Sequence, residues 1–570
     1  MTATPIWFGP EERTVCGWLH VPEGNSARAG VLLCPPLAGE RISAYDCFRL
    51  VAESLATRGI AALRFDYPGT GDSYGPGEGE LGVPDWVASI GDAAATLRRL
   101  GVERVVVVGM RIGATLAAAA GSVLGDIAAV AWWDPCESGR AFLRQQRSLN
   151  LVIFGAAESG GADTPGFFFP DAVADPIRAL RLELPVSPVP VPTLLLVREE
   201  AAGPELAAAF ADAGATVVSV RGQPEFLDIS SLEAEIPHST IVQLVDWVDG
   251  ILPAERQALG TIGESSVVLR VDGVAIREHA QRLGPIGLFS IVTEPAQPTL
   301  PPRAAGAPSQ PAVIFLNPAT ESHIGPARQW VEYSRSIARF GLRSYRVDLS
   351  GLADSPVHRG QLPRQIYAPE AIGDVIDIAT AVSPSDPSNV VLVGLCSGAY
   401  LALEAGIRLK ARGVVAISPV LDMALPVPGR PNENASTVIR ERSRIGRVLL
   451  RLPAIKAALL STPTWLWRLA HALRLQPSAS DGFKPVVAAV ADTLVVCDEY
   501  DGRRYLDRGR WIVDRLSATG HFQLVSLPGA DHSLLTRPVR RAAGEVVVPY
   551  LVRKYAPHTA ADVSERLSPA

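Results

Sequence analysis

Val390–Tyr400 reads VVLVGLCSGAY. Five residues of this run, up to Gly394, form a continuous aliphatic stretch, the pattern of a strand buried on both faces of a parallel sheet. The Ala-rich segment beyond Gly398 reads as a helix. Strand and helix are joined by Gly394-Leu395-Cys396-Ser397-Gly398, with glycines two positions to either side of Cys396. Such a spacing predicts a sharp strand-to-helix elbow, in which backbone segments approach closely and the central side chain is held exposed. Ser397 is the rival for the central position, but its residue two back is Leu395, which does not suit the crowded turn. Earlier in the chain, Val105–Thr115 reads VVVVGMRIGAT, the same plan with Arg111 at the centre.

Working outward, the two copies extend well beyond the elbow. Val31–Ser73 aligns without a gap on Val313–Ser355, so that Pro36 falls on Pro318, Gly59 on Gly341, Asp66 on Asp348 and Ser73 on Ser355. Thr193–Val197 matches Thr493–Cys497, and Thr216–Val220 matches Gln523–Leu527. Strands alternating with amphipathic helices indicate parallel sheets with crossover helices. The chain therefore reads as an α/β fold written twice, with domains expected at 1–253 and 254–570 and a lid insertion at about 422–490. The Pro/Ala-rich stretch Gln297–Gln310 is expected to be a loop inside the second domain.

In its elbows, and in the Arg-x-Asp-x-x-Gly-x-x-x-Ser loops beginning at Arg64 and Arg346, the chain resembles two tandem α/β-hydrolase domains, each a mostly parallel sheet flanked by helices. The resemblance implies a nucleophile, an acid and a histidine in that chain order. Carried onto the second copy, it implies Cys396 as nucleophile, Asp501 in LVVCDEYD as acid and His532 in LPGADHS as base. Asp422 is the alternative acid, and Asp498 and Glu499 read as solvated turn charges. The oxyanion of an acyl intermediate would meet the backbone N–H of Ser397 and a donor from the loop after the Val313 strand. Pro318 has no N–H, so Ala319 is the better candidate and Asn317 the second. His323, in the same loop, is expected either to line a substrate pocket or to face solvent. Trp465 and Trp467 in the lid are expected to line an apolar slot.

In the first copy the three positions hold Arg111, Ala201 and Glu225. Arginine stays protonated and cannot attack, so this copy is read as degenerate, with Arg111 and Glu225 forming a buried ion pair.

Composition sets the outer limits. Of 570 residues, 48% are hydrophobic and 20% charged, which excludes a disordered chain. The net charge of −6 argues against a nucleic-acid partner. Within Asp422–Lys484, however, ten Lys/Arg stand against four acids, a basic lid suited to an acyl donor on CoA or a carrier protein. The six cysteines show neither paired nor zinc-ligand spacing, and no cofactor or metal is called for. The N-terminus has no signal-like stretch and no segment reads as a membrane span, so a cytoplasmic location is expected, with homo-oligomerisation left open.

The expected function is acyl transfer by a Cys-His-Asp triad, from an ester or thioester to water, an amine or an alcohol. A cysteine thioester suits transfer as well as hydrolysis, as in a thioesterase or acyltransferase of natural-product biosynthesis. The alternatives are a dienelactone-type or carboxylester hydrolase acting on a small substrate, and a non-catalytic scaffold.

Overall fold

The computed structural model describes residues 3–79, 81–155, 160–183, 191–199, 204–229, 231, 233–261, 265–297, 309–419, 468–469, 472–473, 479–529 and 531–556, save the side chains of 500, 501, 503, 504, 507 and 508. Two compact units emerge, Met1–Leu269 and Arg270–Ala570.

The first unit is built on an eight-stranded sheet. In spatial order its strands are Thr4–Phe8, Val15–His20, Ala61–Phe65, Gly30–Cys34, Val105–Met110, Ala129–Trp133, Thr193–Arg198 and Thr216–Val220. The first two are antiparallel, and the six from Ala61 onward pair in parallel. The valines of Val105–Val108 are fully buried and split between two cores, one on each face of the sheet. That double burial is why the strand reads as an unbroken apolar run rather than an alternating one. The long apolar stretch Ala114–Trp133 is helix, then strand: the helix is Ile112–Ala119 and the strand Ala129–Trp133.

A nine-stranded sheet carries the second copy. Its order is Ser266–Val271, Val274–Leu283, Leu288–Pro295, Ser344–Val347, Ala312–Phe315, Val390–Leu395, Gly413–Ile417, Asp492–Cys497 and Phe522–Ser526. From Ser344 onward the pairing is parallel, in the same order as the last six strands of the first unit. An antiparallel extension is tied on by Glu278, fully buried, which accepts hydrogen bonds from Arg335 at 2.7 Å and Arg346 at 3.1 Å. A buried carboxylate is tolerated because it is paired and hydrogen-bonded. Among the described residues, no helix is long and apolar enough to cross a membrane.

The division between the units falls later than the expected 253/254. Gln257–Ala258 pairs with Ser26–Ala27, the Leu259 N–H donates to the Asn25 carbonyl at 2.9 Å, and Leu259 is buried in the first core. The lid and most of the Pro/Ala-rich stretch lie outside the described residues.

One loop is built alike in both copies. In the first, Asp66 accepts from Arg41 Nε at 3.0 Å and from the Asp72 N–H at 3.1 Å. In the second, Asp348 accepts from the His323 N–H at 2.6 Å, faces His323 Nδ1 at 2.9 Å and accepts from the Asp354 N–H at 3.3 Å. Ser73 and Ser355 each donate to the carbonyl of their aspartate and accept a strand N–H, from Cys16 and Phe289 respectively. The Asp…Ser motif shared by the two copies is therefore a loop clamp.

Candidate active site

Cys396 sits between the Val390–Leu395 strand and the Ser397–Leu409 helix with φ 54° and ψ −114°. Positive φ is costly for a residue with a side chain and marks stored strain. The Cys396 N–H donates to the Ile417 carbonyl at 3.0 Å, which anchors the turn to the next strand. A Cβ on Gly394 would lie 2.1 Å from the Gly398 carbonyl oxygen, and one on Gly398 would lie 2.8 Å from that of Asn317. Neither position admits a larger residue, so the two glycines follow from the close approach. Of the six cysteines, Cys396 alone is not buried.

Neighbouring strands deliver the other groups to the same carboxyl edge of the sheet, where parallel α/β folds place their sites. Asp498 immediately follows the Asp492–Cys497 strand and is 4% exposed. His532 lies in the loop after Phe522–Ser526, its Nδ1 3.3 Å from Asp498 Oδ2 and its side chain 40% exposed. Asp531 fixes that loop, accepting backbone N–H bonds from Ser533, Leu535 and Thr536 at 3.0–3.2 Å. Glu499 holds its other side through the Gly529 N–H at 2.9 Å.

Among the described residues, the carboxylate beside His532 is Asp498. Asp501 lies in the Glu499–Ser517 helix and its side chain is outside the described residues, as is Asp422. Asp498, read from sequence as a solvated turn charge, is buried. The signal was available, since it is the first residue past the strand.

Ser397, the first residue of the helix, is 4% exposed, and its Oγ accepts the Ala319 N–H at 2.6 Å. Ala319, with φ 48°, therefore does stand at the elbow. The Asn317 side chain, by contrast, braces the loop: Nδ2 donates to the Glu321 carbonyl at 2.8 Å and to Asp348 at 3.1 Å, and Oδ1 accepts the Leu349 N–H at 2.9 Å.

His323 requires correction. It is neither pocket lining nor a solvent-facing loop residue; it is fully buried, packed 5.0 Å from the Phe289 ring and paired with Asp348. It occupies the clamp position that Arg41 fills in the first unit. Trp465 and Trp467 lie outside the described residues.

Two groups were missed. Tyr367 holds φ 58° and packs edge-to-face on Tyr400, one turn along the helix from Cys396, at 5.7 Å. Burial drives its phenol pKa up and the nearby Cys396 charge adds to the rise. Glu321, in the Ala319 loop, has its carboxyl pushed by burial up to about 7. Nothing in the sequence singles out either residue, because both effects come from folding.

The first unit retains the turn and not the chemistry. Arg111 has φ 54° and ψ −127°, and its N–H donates to the Trp133 carbonyl at 3.0 Å, as Cys396 does to Ile417. Its guanidinium meets Glu40 at 3.2 Å and Asp134 at 3.2 Å, not the expected Glu225, which is exposed. Arg198 ends the strand equivalent to Asp492–Cys497, at the position of Asp498, and bonds Asp134 at 3.0 Å and Asp228 at 2.6 Å. Burial raises the Glu40 carboxyl, with Arg111 opposing the rise. The alignment placed the elbow correctly, but the partners of Arg111 come from the first turn of the Gly39–Thr57 helix and from the residue after the Ala129–Trp133 strand.

Residues 313–545 match the model of the alpha/beta hydrolase family. No curated protein matches the chain. Among solved structures, Est1E from Butyrivibrio proteoclasticus is similar at 15% identity and a TM-score of 0.34, over 44% of this chain and 98% of its own. A serine hydrolase without lid from Xanthomonas campestris is similar at 18% identity and 0.28, over 50% and 96%. The two sheets and their elbows define a tandem α/β-hydrolase fold, with the family match falling on the second copy.

Proposed function

We propose that the second unit is an acyl-transfer enzyme in which Cys396 is the nucleophile, His532 the base and Asp498 the acid. One observation carries this reading: the only cysteine that is not buried occupies the strained elbow, at the sheet edge where a buried carboxylate meets a half-exposed histidine.

The chemistry follows from these groups. His532 takes the thiol proton, and the thiolate attacks an ester or thioester carbonyl, whose π pair moves onto oxygen. Collapse of that oxyanion expels the alcohol or thiol, protonated by His532, and leaves a thioester on Cys396. Water, an amine or an alcohol then attacks this thioester, with His532 accepting its proton; the second oxyanion collapses, the C–S bond breaks, and His532 returns the proton to the departing Cys396 sulfur as the acid, amide or ester leaves. Asp498 holds the His532 tautomer and stabilises its cation. We assign the donor to the acyl thioester class, carried on CoA or a carrier protein, because a thioester intermediate exchanges readily with thiols and amines. The first unit holds Arg111 at its elbow where a nucleophile would stand, and it serves as a scaffold.

Intact mass spectrometry after mixing with an activated acyl thioester tests the reading. Wild type should gain one acyl mass at Cys396, and Cys396→Ala none. Absence of label on wild type from every activated donor would end the catalytic interpretation. Free acid as the only product in the presence of an amine or alcohol would restrict the activity to hydrolysis.

A further inference from the structure

Ser397 is a buried hydroxyl at the start of the helix that carries the nucleophile, and one of its two hydrogen-bonding roles is filled. Its oxygen accepts the Ala319 N–H at 2.6 Å. Among the described residues no group accepts its proton, although the side chain is 4% exposed. A buried donor left without an acceptor is expensive, so in a folded protein it calls for a reason. The first unit supplies the contrast. There the residue after the elbow is Ile112, fully buried, and the elbow residue is an arginine. The hydroxyl occurs only in the copy that holds a nucleophile.

We infer that the Ser397 hydroxyl is itself an oxyanion donor, with its oxygen held by the Ala319 N–H and its proton given to the substrate carbonyl oxygen. The inference rests on the acyl-transfer reading and changes its anatomy. Both donors come from Ser397, one from its backbone N–H and one from its side chain, while Ala319 acts one step behind. A hydrogen bond accepted by the hydroxyl polarises it and strengthens the one it donates. No proton changes hands; the hydroxyl stabilises negative charge as the carbonyl π pair moves to oxygen. Because Ser397 neighbours Cys396 on a fixed turn, the donor stands in place before substrate arrives, as transition-state stabilisation requires.

The test is single-turnover acylation of Cys396 by p-nitrophenyl acetate, followed by nitrophenolate release and intact mass, with Cys396→Ala as control. Ser397→Ala and Ser397→Gly remove the hydroxyl; Ser397→Thr keeps it. The acylation rate should fall about 10²-fold in the first two, the usual cost of one lost oxyanion donor, with little change in KM. Ser397→Thr should stay within a few-fold of wild type, and thermal midpoints identify which variants fold. A folded Ser397→Ala or Ser397→Gly that matches or exceeds wild type overturns the inference, because the released Ala319 N–H then suffices. Equal losses in the threonine and hydroxyl-free variants also overturn it. Failure of wild type to acylate at all is a different result, which removes the acyl-transfer reading itself.

Discussion

Asp498 is buried and His532 is half exposed, a difference that suits the roles proposed for them. A carboxylate withdrawn from water beside an imidazole favours the imidazolium that forms when a proton arrives, while the exposed face of the ring remains available for transfer. Asp498→Asn should therefore lower the acylation rate by roughly 10³–10⁴-fold, the scale seen when a triad carboxylate is replaced by its amide. Asp501→Asn should stay within a factor of about three, because the proposed mechanism gives Asp501 no part. Stopped-flow kinetics on both variants checks this, and the reverse ranking would return the role to Asp501. The sequence reading chose Asp501, with Asp422 as the alternative, and set Asp498 aside as a solvated turn charge, whereas Asp498 is buried beside His532. Strand ends are uncertain by a residue or two from pattern alone, and the burial of Asp498 is visible only in the folded chain. The elbow at Cys396 was legible because two glycines mark it, and the loop that holds His532 was legible from its place after the last strand.

At the level of one element, the loop from Asn317 to Gly325 shows how a site is held by groups that never touch a substrate. Asn317 and His323 fasten it to Asp348, and Ala319 reaches the elbow from its middle. Sequence reading placed the loop correctly and misjudged His323, whose partner lies 25 positions along the chain. The duplication contained the answer, since Arg41 and Asp66 align on the same two positions and make the same pair. Glu321 belongs to this loop and carries a testable cost. Its carboxyl is raised by burial from 4.5 to about 7, so the folded state prefers it neutral. Stability is then unaffected below about pH 4.5 and declines as pH rises towards 7, where the folded protein must bear the charge. Glu321→Gln should match wild type in thermal midpoint at pH 4 and exceed it at pH 8. An equal midpoint at pH 8 would show that the carboxyl ionises without penalty.

Across the whole molecule, two sheets of like order carry opposite contents at the same edge. Fold class and duplication were readable because β-branched runs and elbow glycines are local signals. The first unit's polar network was not, because Glu40 and Asp228 lie at helix ends and Asp134 and Arg198 at strand ends, and only the folded unit gathers them. Arg111→Ala would leave Glu40 and Asp134 without their shared cation, a loss of about 3–5 kcal/mol for a buried pair broken on one side. Chemical denaturation of the full chain should show this destabilisation, while the rate of Cys396 acylation in native buffer stays at the wild-type value. A parallel fall in acylation would tie the first unit to the chemistry.

The retained elbow at Arg111 separates two properties that are usually inherited together, the shape of a turn and the electrical character of its surroundings. Because the backbone still presents residue 111 in the attacking posture, a thiol could be grafted there without moving a single strand. It would arrive among the carboxylates of Glu40 and Asp134, in a field that holds a proton on sulfur, with an arginine where the histidine's counterweight ought to be. Restoring reactivity to this half is therefore a problem of rewriting its potential, for which the geometry is already supplied.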